Sequence, residues 1–298
     1  MLKLVQQTVF CPTVRLPIGF PLTGKQLGKA YFIALLYLIG GTIAGLLLVM
    51  GIVYGLVSAA QLLVLRPEPW AHKLTSILLG ALLPFVNEQT FLAVSTAVTF
   101  LSGFAAQLFY LNGVLRKRGT SIARVVALNL DSLRGSSRAG TLWALTWRVM
   151  VAIGIWLTAA LLLSLILSHP EQPTVELVKK VSGGNLVTLF LIMAVAAPLV
   201  EEVIFRGFLF QALRASFSTG RVASWLGGGR FSDVAAVLTS ALMFALQHLQ
   251  FHPVIILILF LMGAFLAEMY RRTGTLWTPI AFHAFNNALT VLVIANRI

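Results

Sequence analysis

The chain has 298 residues, 58% of them hydrophobic and only 10% charged, with a mean hydropathy of +0.92. A soluble domain carries about 25% charged residues, so the composition excludes an ordinary soluble protein and specifies a polytopic membrane protein. The net charge of +13 does not point to nucleic acid, because no zinc-finger spacing, aromatic RNP pattern or basic DNA-reading helix is present; basic loops flanking membrane spans account for it. Cys11 is the only cysteine, which rules out an intrachain disulfide and a cysteine-based metal site.

Residues 1–30 hold Lys3, Arg15, Lys25 and Lys29 but no apolar run ahead of a small-residue cleavage site, and are expected to form a cytoplasmic tail rather than a signal peptide. A transmembrane helix needs about 20 apolar residues. The segments 31–62, 91–114, 142–168, 186–208, 253–270 and 275–296 qualify. Two shorter stretches, 74–86 and 234–249, raise the expectation for this all-α bundle to about eight helices, within a range of six to eight. In the first span Gly51 and Gly55 form a G-x-x-x-G pair, expected to mark close helix packing.

The loop 115–141 carries Arg116, Lys117, Arg118, Arg124, Arg134 and Arg138 against Asp131, which places it on the cytoplasmic side. Within it, Ile122, Val125, Val126, Leu128 and Leu133 recur at helical period between arginines. That pattern fits an amphipathic helix on the membrane surface or, equally, a connecting helix packed on the bundle. Arg214, Arg221 and Arg230, then Arg271 and Arg272, keep the later cytoplasmic loops basic. Counting 74–86 as a span breaks the alternation between a cytoplasmic N-terminus and a cytoplasmic 115–141 loop. The expected organisation is a tail (1–30), N-terminal helices with the basic loop (31–140) and a C-terminal membrane domain (141–298).

That C-terminal domain places polar groups where lipid opposes them. An ionisable group inside the bilayer costs about 2.5–3.5 kcal/mol on insertion scales and marks a functional site by default. Glu202 and Arg206 are four apart, share a helix face and can form an ion pair; Glu201 points away and stays free. Phe244-x-x-x-His248 and His283-x-x-x-Asn287 follow, the latter pair again on one face. Two histidines, one free glutamate and one carboxamide thus project from three helices. A carboxylate and an imidazole can share the deprotonation of water, while a histidine N–H and an asparagine amide can donate to an oxyanion. Such a set suits hydrolysis of a carbonyl compound. A structural ion pair and helix-packing histidines are the bland alternatives for each element alone; the conjunction of all three within one membrane domain is more specific.

These three patterns, Glu201-Glu202-x-x-x-Arg206, Phe244-x-x-x-His248 and His283-x-x-x-Asn287, resemble the motifs of the CPBP intramembrane proteases, the CAAX-processing and bacteriocin-processing family also called Abi. The resemblance covers about residues 185–296. It implies an all-α membrane bundle, a cavity open to the cytoplasm and intramembrane peptide-bond hydrolysis. Glu201 would activate water with His248, His283 and Asn287 would stabilise the oxyanion, and Glu202, Arg206 and Phe244 would support the site.

A preference for metal-free water activation follows from the absence of His-Glu-x-x-His and from asparagine being a poor zinc ligand. The alternative is a zinc ion on Glu201, His248 and His283. His252, before Pro253, reads as a residue at a helix end. The expected partners are a peptide or protein substrate at the membrane and the bilayer itself, with no nucleic acid. The expected location is an integral multi-pass position, in the plasma or inner membrane for a prokaryotic source, with the site facing the cytoplasm. A transporter using the Glu, His and Arg groups, or a non-catalytic membrane scaffold, are the competing readings.

Overall fold

The computed structural model describes residues 22, 24–64, 68–126, 138–164, 173–218 and 229–296. Among them the chain is all helical: α1 (Gly24–Val64), α2 (Pro69–Val86), α3 (Glu88–Arg116), the short α4 (Ile122–Val125), α5 (Arg138–Ser164), the short α6 (Pro173–Lys179), α7 (Gly183–Phe217), α8 (Gly229–Leu246), α9 (Pro253–Thr273) and α10 (Trp277–Ala295). Setting α4 and α6 aside leaves the expected eight. Five of them, α1, α3, α7, α9 and α10, are long and apolar enough to cross a membrane. The 74–86 stretch is part of a true helix. Most of the N-terminal tail and residues 127–137 of the basic loop lie outside the described residues.

Local chemistry sets the boundaries. The Asn87 carboxamide oxygen accepts from the backbone N–H of Gln89 at 2.9 Å and of Thr90 at 3.3 Å, capping α3 one residue after α2 ends. His252 caps α9 through Nδ1, which accepts from Val254 N–H at 3.3 Å, with Pro253 at the first helical position. Its role as a helix-end residue is therefore structural. At the other end of α9, Gly274 takes φ +67° and returns its N–H to the Tyr270 carbonyl, the left-handed stop for which glycine is suited.

The close approach of α1 to α3 uses a different glycine pair from the one expected. A Cβ at Gly51 or Gly55 would meet nothing within 4 Å, whereas one at Gly41 would fall 2.6 Å from the Ser102 carbonyl oxygen. A Cβ at Gly45 would fall 3.0 Å from the Val98 carbonyl. Ser102 Oγ crosses the seam to the Gly41 carbonyl at 2.8 Å. The packing motif is thus Gly41-x-x-x-Gly45, one face of α1 against α3, while Gly51 and Gly55 lie on a part of α1 that has no such neighbour.

In the C-terminal half, α7 runs through the middle of the bundle. Its Ile204, Phe205, Phe208 and Leu209 are buried with Phe244 of α8, Leu266 and Met269 of α9 and Phe282 of α10. The first turn of the basic loop docks here. Val126 packs with Phe210, Tyr270 and Leu276, and the Val125 carbonyl accepts from Gln211 Nε2 at 3.0 Å. The described part of that loop is therefore a connecting helix packed on the bundle. An ion network gathers one end of three helices: Asp233 of α8 accepts from Arg214 of α7 at 2.6 Å and from Arg271 of α9 at 3.4 Å. Glu268 binds Arg271 through both oxygens, at 2.6 and 2.7 Å, and also Arg272.

Gly41→Val drives a side chain into the α3 backbone and is expected to cost about 1–3 kcal/mol, while Gly51→Val and Gly55→Val should change stability by about 0.5 kcal/mol or less. Thermal unfolding of the purified variants in detergent checks this; equal losses at all three positions would contradict the assigned seam.

Candidate active site

The helix that carries the carboxylates is not regular. Within α7 the backbone widens into π-helix at Ile192–Ala196 and again at Val203–Phe210, with an α-helical Ala197–Glu202 between them. The cause of the first widening can be traced. Ala197 N–H bonds to the Ile192 carbonyl, five residues back. In that register the next donor, at position 198, would serve Met193, and position 198 is a proline without an N–H. The orphaned Met193 carbonyl instead accepts from Asn287 Nδ2 of α10 at 2.9 Å. In the second widened stretch the Phe205 carbonyl accepts from Ser240 Oγ of α8 at 3.1 Å. Backbone groups freed inside a bilayer must find partners within the protein, and π segments of this kind recur at functional sites.

Between the two widenings, Glu201 and Glu202 are buried, and Arg206 has no solvent exposure. Arg206 Nη1 donates to Glu202 Oε1 at 2.8 Å, as the four-residue spacing predicts, and Nη2 donates to the Gly263 carbonyl of α9 at 3.1 Å. The guanidinium carbon lies 4.7 Å from the centroid of the Phe244 ring, within cation–π range. Gly263 permits this approach: a Cβ there would come within 3.1 Å of the Ala241 backbone and 3.2 Å of the Phe244 ring.

His283 of α10 joins the two carboxylates. Its Nδ1 is 3.0 Å from Glu202 Oε1, and its Nε2 is 3.8 Å from Glu201 Oε2. The first is a hydrogen bond; the second is beyond direct reach and spans a gap that a water can bridge. Glu202 is therefore bound on one oxygen by both Arg206 and His283, while Glu201, with 8% of its surface exposed, faces the remaining imidazole nitrogen. Sequence spacing foresaw the Glu202–Arg206 pair and the separate orientation of Glu201. It did not foresee that His283 contacts both carboxylates.

His248 lies just past the end of α8, in the turn after Leu246, rather than inside the helix as the 234–249 reading has it. Its Nδ1 is 3.0 Å from the Phe244 carbonyl. A carbonyl only accepts, so Nδ1 carries the proton and the neutral ring presents Nε2 as a lone pair. The Phe244 ring contacts both imidazoles, with centroids 5.1 Å from His248 and 5.9 Å from His283. Phe244, Arg206, His283 and the two glutamates form one buried cluster with His248 at its edge. Asn287, a turn beyond His283, turns one amide N–H to Met193. Sequence reasoning missed Pro198, Gly263 and Ser240; a proline inside an apolar span was the available signal for the first.

Among the described residues, no group of three or more His, Cys, Asp or Glu side chains is arranged to hold a metal ion.

Two outcomes follow. Arg206→Met removes the buried cation that pairs with Glu202, a loss of about 3–5 kcal/mol, readable as a lowered unfolding temperature. Asn287→Ala should cost about 1 kcal/mol in the natural background and less in Pro198→Ala, whose restored N–H can serve Met193. Additive losses in that double-mutant cycle would contradict the link.

Comparison with known proteins places these residues in context. No curated protein and no solved structure matches the chain. Residues 183–289 match a family model, and all seven residues singled out by their motifs fall inside that stretch. The family to which the 183–289 segment is similar is described as Type II CAAX prenyl endopeptidase Rce1-like.

Proposed function

We propose that the protein is an intramembrane endopeptidase that hydrolyses a peptide bond of a membrane-associated substrate with water activated by protein side chains. One observation carries the reading. Adjacent buried carboxylates address the two nitrogens of one buried histidine, one of them locked by Arg206 and the other left open to the site. A structural ion pair needs only Glu202 and Arg206; Glu201 and the far nitrogen of His283 are surplus to it.

In the reaction, a water held by Glu201 gives up a proton to that carboxylate, with His248 Nε2 as the second acceptor, since its Nδ1–H is committed to the Phe244 carbonyl. The hydroxide oxygen bonds to the scissile carbonyl carbon. The oxyanion so formed accepts from His283 Nε2–H, the ring being held at Nδ1 by Glu202, and from the second N–H of Asn287. The proton taken from water passes to the amide nitrogen as the C–N bond breaks, which releases an amine and a carboxylate. Glu202 and Arg206 fix the ring and Phe244 spaces the two imidazoles. The site faces the cytoplasm, on the side of the basic loops.

The family description favours a substrate with a prenylated cysteine near its C-terminus, and an unlipidated peptide is the other class within the same chemistry. Purified protein in liposomes, given matched farnesylated and unmodified peptides ending in a cysteine, two aliphatic residues and a variable residue, should release the C-terminal tripeptide, seen by mass spectrometry. Glu201→Ala should lower that rate by about 10²–10⁴-fold with the fold retained. Equal release by the variant would remove Glu201 from the mechanism.

A further inference from the structure

We propose that Tyr31, in the first turns of α1 and far outside the 183–289 domain, is a positioning residue of this site, acting through Gln247 on the turn that carries His248. The inference rests on the hydrolase reading above. Tyr31 is 4% exposed. Its ring meets Phe205 edge-on with centroids 6.4 Å apart, and Phe205 in turn meets Phe244 at 5.1 Å. Its hydroxyl oxygen accepts from Gln247 Nε2 at 3.2 Å, across 216 residues of chain.

The turn needs such an anchor. Past Leu246 the α-helical hydrogen bonds give way to three-residue ones: Gln247 N–H to Phe244 O at 3.3 Å, His248 N–H to Ala245 O at 2.9 Å and Phe251 N–H to His248 O at 3.0 Å. Phe244 O therefore serves two donors, the Gln247 backbone and His248 Nδ1. That carbonyl sets which nitrogen of His248 is free to accept a proton. Tying the Gln247 side chain to a buried tyrosine holds the backbone that shares the carbonyl, and so holds the His248 ring in its orientation. A tyrosine serving only to pack would be replaceable by phenylalanine; here the hydroxyl does the holding.

Tyr31→Phe keeps the ring and removes only that hydroxyl. In nanodiscs, hydrogen–deuterium exchange across 247–252 should quicken about threefold or more, and kcat should fall about tenfold with KM within about twofold, the scale of one lost hydrogen bond. Gln247→Leu should match it, and the double variant should be no slower than either single. The unfolding temperature is measured alongside to show that the fold persists. An unchanged kcat in Tyr31→Phe, with or without faster exchange, overturns the proposal, as do additive effects in the double variant. Turnover by the natural protein separates the two readings. If it releases no C-terminal tripeptide the hydrolase reading fails, while exchange at 247–252 still decides whether Tyr31 holds the turn.

Discussion

A guanidinium with no exposure must be answered by its neighbours on every side, because desolvating it without partners would cost several kcal/mol. Arg206 draws one element after another into place on that account. Glu202 supplies the charge and α9 supplies a carbonyl, at a glycine where a Cβ would crowd the Ala241 backbone at 3.1 Å. Phe244 supplies a ring face, and the Glu202 oxygen that holds Arg206 is then positioned to hold His283 as well. Two atoms of the cluster, Glu202 Oε2 and Arg206 Nε, are buried with no hydrogen-bond partner. Buried polar groups are rarely left so, and these two sit beside the carboxylate assigned to chemistry. The ion pair is thus the frame on which α7, α8, α9 and α10 present their side chains to one another.

Much of this was legible in the sequence, for physical reasons. Spans announce themselves because lipid tolerates few charges, so helix positions followed from apolar length, and the motif residues stood out as exceptions to that rule. Spacing of four placed Glu202 with Arg206 because an α-helix returns to the same face at that interval. Even the short 74–86 stretch, at odds with the charge alternation, belongs to a helix, Pro69–Val86.

What the sequence withheld depended on partners distant along the chain. Gly41-x-x-x-Gly45 and Gly51-x-x-x-Gly55 are equivalent patterns on one 41-residue helix, and only the position of α3 distinguishes the pair that packs. The contact of His283 with both carboxylates, and that of Asn287 with Met193, arise because the backbone of α7 departs from the regular period that spacing arguments assume. Tyr31 carried no motif at all. The end of α8 before His248 was likewise invisible to hydropathy, since apolar residues continue past the point where the helix stops.

The widened stretch at Ile192–Ala196 gives α7 a sensitivity that differs from that of its neighbours. A π turn holds an extra residue relative to an α-helix, and each residue of an α-helix turns the chain by about 100°. Removing one residue there, and so restoring a regular helix, would leave composition and hydropathy nearly untouched. Because the wide turn itself takes up the extra residue, Glu201, Glu202 and Arg206 would keep nearly their present phase around the axis and still face α8, α9 and α10. A deletion of one residue in the regular part of the helix before Glu201, with the wide turn kept, would instead carry the carboxylates about a quarter of a turn out of phase with the histidines.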